Sequence, residues 1–319
     1  MPSSPLATVL AASLEKSQRN LQMASIKSNA LMAWAFSNKL VEKEDGGKTI
    51  TNPLVVGRNP NITSYQYYDP LPVAQTNEFT KVEYNWSRVA GNVIISQQEE
   101  DENRGETAIF KIVKGKMMVL EESIKEKFSE FLYGSGAGTD PYGLAALIPD
   151  DPTTGSLGGI SRATQSQWRT SSYYFDGALD ETNIEEAFDD ILRDLKLKSD
   201  KPDLILVGRN IDRLYRTAVR DKITINIADT GNGKKMYDLG FEGYTHNGIA
   251  VIYDEDCPDD KAYFINSKYL RHHILSGVNM RVDDLKAPWT IDGYGKRTVW
   301  QGQFALWNAY RKHAVLINS

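Results

Sequence analysis

Residues equipped for chemistry are few, and their spacing argues against most reactions. His246, His272, His273 and His313 are the only histidines, and Cys257 is the only cysteine. None of the histidines has a cysteine, a carboxylate or a second histidine at a zinc-binding spacing on an expected helix, so no metal site is expected. His272 and His273 are adjacent and point to opposite faces if they lie in a strand. No G-x-S-x-G elbow occurs, and four histidines leave a serine triad few bases. Two glycine-rich runs, "GSGAGTD" at 134–140 and "TGNGKKM" at 230–236, resemble fragments of phosphate loops. Neither completes G-x-x-x-x-G-K-[ST], and no expected strand feeds the first, so both read as turns. Glu185, Glu186, Asp189 and Asp190 fall on the outer side of an amphipathic helix, where carboxylates are normally solvated. The chain thus reads as a non-enzyme without cofactor.

The totals narrow the classes further. The chain has 319 residues, 41% of them hydrophobic, enough for a substantial core and two domains. A formal charge of -5 lacks the positive excess of a dedicated nucleic-acid binder. Residues 150–200 hold 11 acidic against 5 basic side chains, which suits either solubility or a surface past which nucleic acid slides. One cysteine excludes an intramolecular disulfide framework and fits maturation in a reducing cytosol. No apolar run reaches membrane-spanning length, so no membrane partner is expected.

Positioning elements follow from hydrophobic period. Residues 6–41 read as one broken helix or two short ones, carrying Leu6, Leu10, Leu14, Leu21, Ile26, Leu31, Trp34 and Leu40. Such a helix packs either on its own domain or on a neighbouring subunit. After Gly46 and Gly47 the chain turns β-rich, and Pro53, Pro60, Pro70 and Pro72 confine it to an edge hairpin with arms at 48–58 and 78–95. Tyr65, Tyr67 and Tyr68 sit at its tip. A two-stranded ribbon is marginal alone, so it is expected to lie across another molecule.

Gly105 to Tyr133 carries one apolar stripe of Ile109, Ile112, Val113, Met117, Leu120, Ile124, Phe128, Phe131 and Leu132, a rod of roughly 43 Å with a possible bend at Gly115. Then come an acidic helix at 183–197, a buried strand "DLILVG", a helix at 210–220, and strands "KITINIA", "GIAVIYD" and "AYFIN". Residues 297–317 alternate large apolar and polar residues over two strand lengths and are expected beside the long helix.

Three short stretches then stand in a telling order: "GLAALI" (143–148), "GGISR" (158–162) and Trp168-Arg169. They are followed by "PDLILVGRNIDRLYR" and by a strand ending in aspartate before a proline turn. From about Gly46 to the C-terminus the chain resembles tailed-bacteriophage major capsid proteins of the Hong Kong 97 type. The resemblance implies an α+β fold: N-terminal arm 1–45, extended β-hairpin loop with peripheral-domain strands 46–95, spine helix 96–139, axial α/β domain 140–275, and return strands 276–319. It implies a homo-oligomer of pentamers and hexamers, an icosahedral shell around double-stranded DNA held by non-specific contact. Assembly would occur in the host bacterial cytoplasm with a separate scaffolding protein, a portal and a decoration protein, and the product would be the virion capsid. Subunit contacts would involve Leu54, Arg58, Tyr65, Tyr67, Tyr68, Arg162, Trp168 and Arg169, with Trp168 as a buried anchor and the arginines making charge-assisted contacts.

Two departures qualify this reading. Some members carry a scaffolding extension ahead of the mature chain, whereas here the arm starts at Met1, so scaffolding is expected from a separate protein. Some members cross-link neighbours through a lysine of the extended loop, but no lysine lies between Thr49 and Thr80 and Arg58 cannot act as the nucleophile. Rival readings are an encapsulin-type shell that houses a cargo enzyme and a soluble α/β enzyme.

Overall fold

The computed structural model describes residues 29–55, 57, 59–74, 78–96, 98, 106–175, 179–197, 200–219, 243–285, 293–309 and 312–318. In chain order the elements are α1 (Ala30–Ser37), β1 (Val41–Glu44), β2 (Thr49–Val55), β3 (Phe79–Asn85), β4 (Ser87–Ser96), α2 (Glu106–Tyr133), α3 (Leu144–Leu147), β5 (Ser156–Leu157), β6 (Ile160–Ser161) and β7 (Ser171–Tyr174). There follow α4 (Ile184–Leu195), β8 (Leu204–Val207), α5 (Arg209–Val219), β9 (Gly243–His246), β10 (Ile249–Tyr253), β11 (Lys261–Ile265), β12 (Leu270–Leu275), β13 (Arg281–Leu285), β14 (Gly293–Leu306) and β15 (Ala314–Ile317).

Short, wholly apolar runs make the centre of a six-stranded sheet, ordered β7-β15-β11-β8-β10-β9. Leu204 and Leu206 of β8 enter one core cluster and Ile205 and Val207 the other, so both faces of this strand are buried. That is why "LILV" shows no polar alternation. Helices α4 and α5 cover one face. Ile184, Ala187, Phe188, Ile191, Leu192 and Leu195, the inward set expected from the period, are all buried. Burying a side chain such as Phe188 stabilises by roughly 2 kcal/mol. At the end of β8, a Cβ on Gly208 would lie 2.0 Å from the Pro258 carbonyl oxygen. The Asp254 amide donates to the Val207 carbonyl at 3.2 Å, so the glycine, the strand-ending Asp254 and the proline turn of the sequence motif meet in space.

A second sheet of five strands is built on β14. One side of β14 pairs β4 from Gly293↔Ser96 to Gly302↔Ser87, and the other pairs β13 and then β12. Helix α2 lies over β4. Met117, Ile124 and Phe128 pack with Val93, Met280 and Trp300, and Phe128 meets Trp300 edge to face at 4.9 Å. A Cβ on Gly91 would stand 2.6 Å from Leu120 Cδ1, so the helix approaches the sheet closely there. The helix runs without a break through Gly115.

Three expectations change. The second hairpin arm, read as 78–95, is two strands: β3 pairs β2, and β4 leaves the ribbon for β14. The buried positions shift phase between them, from Val82 and Tyr84 to Ser87 and Val93, which re-aims the strand at Trp86. The tail, read as two strands beside the long helix, divides between the sheets, because "AVLI" of β15 suits a strand covered on both faces. Of the helix expected over 6–41, only residues 29–41 fall within the described residues, and only α1 among them is helical. Ala30 to Ala35 are all buried in this chain's own core, so α1 packs on its own domain. The strand "KITINIA" and the run "TGNGKKM" lie outside the described residues.

Candidate subunit interface

The site is made of two irregular segments, the ribbon tip and the linker at 143–169. At the tip, the Asn61 side chain imitates a strand pairing: its Nδ2 donates to the Ala74 carbonyl at 2.7 Å, and its Oδ1 accepts from the Ala74 amide at 3.1 Å. The Gln66 amide donates to Asp69 Oδ2 at 2.9 Å, and the Asn61 amide to Asn59 Oδ1 at 2.8 Å. Asn and Asp close such turns by replacing backbone acceptors. The polar residues thus hold the loop, and the large ones face out. Tyr67 and Tyr68 are 99% and 100% exposed, and Ile62, Tyr65, Leu71 and Val73 are exposed with them. Arg58 lies outside the described residues.

Leu54, at the foot of the ribbon, is buried in the main core with Ile50, Val82 and Tyr84. Little of its surface is exposed. The Tyr84 hydroxyl donates to the Leu306 carbonyl at 2.9 Å, and burial raises its pKa far above the phenol range. The ribbon therefore stands on a rigid base.

The linker is fastened from within. Gly158 and Gly159, both at positive φ (59° and 77°), make the tight turn between β5 and β6. A Cβ on Gly158 would lie 2.2 Å from Val82 Cγ1, and its carbonyl accepts from the Glu83 amide at 2.9 Å, so the turn docks on β3. Trp168 is 1% exposed and donates through Nε1 to the Leu157 carbonyl at 3.0 Å. Buried Arg162 donates to the carbonyls of Ala146 and Leu147 at 2.9 and 3.0 Å, at the end of α3. Arg169 donates to the carbonyls of Arg162 and Ala163 at 2.6 and 2.7 Å. Arg162 and Trp168 thus anchor the linker within the chain through these carbonyl oxygens. Arg169, half-buried, does the same. Among the described residues expected at contacts, Tyr65, Tyr67 and Tyr68 are the exposed ones.

One constellation escaped the sequence. Tyr215 Oη lies 2.6 Å from His246 Nδ1, and His246 Nε2 lies 2.9 Å from Asp189 Oδ1, in the order of a hydrolase triad. Burial, with the charges of Glu185 and Asp189, raises the Tyr215 pKa far above the usual phenol range and so disfavours the phenolate. Its ring is stacked on Tyr244 at 4.7 Å and on Phe188 at 5.1 Å. The relay ties α4, α5 and β9 together. Asp189, taken as a solvated carboxylate, is a structural partner of His246 across 57 positions, a distance no local spacing displays.

No protein-family model matches the chain, and no curated protein does. Solved structures do match. A chain of the cyanophage A-1(L) capsid asymmetric unit superposes with a TM-score of 0.63 at 16% identity, covering 91% of this chain and 93% of that one. The capsid of a native GTA particle gives 0.57 at 12% identity, over 90% of each chain. The holo-SrpI encapsulin complex from Synechococcus elongatus PCC 7942 gives 0.51 at 13% identity, over 87% and 84%. The chain has the mixed helix-and-sheet fold of phage capsid proteins. The likeness to tailed-bacteriophage capsid proteins read from "GLAALI", "GGISR" and Trp168-Arg169 holds at the level of the fold. Among the described residues no helix is long and apolar enough to cross a membrane.

Proposed function

We propose that this chain is the major capsid protein of a tailed bacteriophage, a Hong Kong 97-type subunit that closes into pentamers and hexamers around double-stranded DNA. The observation that carries this reading is the ribbon tip. A segment held rigid by Asn61 and Asp69 presents Tyr65, Tyr67 and Tyr68 with Ile62, Leu71 and Val73 to water. A solitary soluble chain rarely leaves such a cluster open, whereas a neighbouring subunit would cover it. The ribbon is then the extended loop laid over the next copy, α2 the spine of the peripheral domain, and the six-stranded sheet with α4 and α5 the axial domain.

Assembly takes place in the bacterial cytoplasm with a scaffolding protein, a portal and a decoration protein, and the mature shell is the virion capsid. A second reading, an encapsulin-type compartment, is favoured by the fold shared with the Synechococcus encapsulin. Electron microscopy of particles from co-expression with candidate scaffolds separates the two. Closed shells that package DNA are expected; shells that form alone around a cargo enzyme support the second reading, and a monodisperse monomer under all conditions overturns both.

A further inference from the structure

The edge of the five-stranded sheet brings together metal-ligating groups from opposite ends of the chain. Strand β1 runs parallel to β12 with Glu42 opposite His273, so Glu42 and Glu44, two residues apart, share the face on which the His273 ring lies. His273 Nδ1 is 3.1 Å from Glu44 Oε1 and 3.7 Å from Glu42 Oε2, and one ligand atom from each residue lies within 4.8 Å of the others. Ligands about 2.0–2.1 Å from a tetrahedral ion stand about 3.4 Å apart, so the two separations from His273 bracket that spacing. The glutamates are half-exposed, which leaves their side chains room to adjust toward an ion.

The surroundings fix this arrangement. Arg271 Nε donates to Glu42 Oε1 at 2.9 Å, while its Nη1 donates to the carbonyls of Ser267 and Leu270 at 2.7 and 3.0 Å. Thus held, Arg271 occupies one oxygen of Glu42 and leaves the other toward His273, as outer groups commonly orient a ligating carboxylate. Trp307 packs against the His273 ring at 4.9 Å and sets its plane. Two carboxylates beside one guanidinium leave an uncompensated negative charge, which a divalent cation would neutralise.

We propose that Glu42, Glu44 and His273 bind a zinc-class divalent cation that clamps β1 to β12. One imidazole nitrogen with two carboxylates selects a borderline first-row ion over calcium or magnesium, which prefer larger all-oxygen sets. A water completes the fourth position on the solvent side. The clamp has work to do, because β1 has four residues, is an edge strand in parallel pairing, and connects α1 to the ribbon. The ion would tie together residues 229 positions apart.

The test is calorimetric titration of the metal-stripped, full-length chain with zinc chloride. One ion per chain and a raised unfolding temperature are expected, with affinity at least tenfold weaker in Glu44→Gln and no saturable binding in the Glu42→Gln/Glu44→Gln double variant. Circular dichroism checks that the variants fold, which their half-exposed positions favour. X-ray absorption at the zinc edge of the wild-type protein reads the ligand set without any substitution: one imidazole nitrogen, otherwise oxygen, no sulfur. Absence of stoichiometric uptake, a shell containing sulfur or several imidazoles, or uptake unchanged in the folded double variant overturns the proposal.

Discussion

The linker at 143–169 and the ribbon tip at 59–74 are both long, irregular and punctuated by proline, glycine and short polar residues, yet they treat their large side chains in opposite ways. In the linker, Leu157, Ile160, Arg162 and Trp168 are buried, and both nitrogen-bearing side chains end on carbonyls of the same segment. At the tip no residue is buried. The polar groups there bond to one another, so the loop has a shape before it has a partner. A loop that closes its own hydrogen bonds while leaving its aromatic residues outside is organised to be covered by another molecule.

This contrast predicts where substitutions register. The largest effect belongs to Trp168→Ala, which opens a cavity and strips the Leu157 carbonyl of its donor. Loss of about 4 kcal/mol is expected in the urea unfolding of the unassembled chain. A loss below about 1 kcal/mol would mean that the linker is not internally anchored, and the comparison with the tip would fail.

Acid probes the same anchored side. The linker exits into β7, which pairs β15, and just before β15 stands His313, fully buried. Its Nδ1 accepts from the Asn266 amide, and burial, with a smaller contribution from Lys312, lowers its pKa to about 3. The unfolded imidazole takes a proton below about pH 6.5, whereas the folded one does not until about pH 3. Stability is therefore unaffected above about pH 6.5 and falls as the pH drops through that window, by about 3 kcal/mol between pH 7 and pH 4 from this residue. His272, buried between Phe304 and Trp300, acts in the same direction. The difference between wild type and His313→Asn in urea midpoint against pH isolates the His313 share. Parallel curves for the two proteins would show that His313 is not held neutral.

How much of this was legible in the sequence depended on the range of the interaction. Helix α4 and strand β8 were readable residue by residue, because period and burial are local properties. The division of 78–95 at Trp86 left only a phase shift in the alternation, and the departure of β15 to the other sheet left only a fully apolar run. The burial of Leu54 and Arg162 within the chain was not legible, since an internal anchor and a subunit contact share residue types. The pairs His246–Asp189 and His273–Glu44 were out of reach, because the packing of a helix on a strand across 57 positions brings the first together and strand register across 229 positions the second.

The smallest effect on stability separates the two loops most sharply. Tyr67→Ser and Tyr68→Ser remove side chains that touch almost nothing within the chain, so each should change the unfolding free energy of the unassembled protein by less than about 0.5 kcal/mol. Assembly should respond differently. If a neighbouring subunit covers these rings, losing one large aromatic from a buried contact costs about 2 kcal/mol or more per copy, repeated at every equivalent contact of a closed shell. Electron microscopy and sedimentation of co-expressed variants should then find few closed particles, with the free chain still folded by circular dichroism. Shells formed in wild-type yield by the double variant would leave the tip without a partner, and its outward aromatic residues would need another occupant than a second copy of this chain.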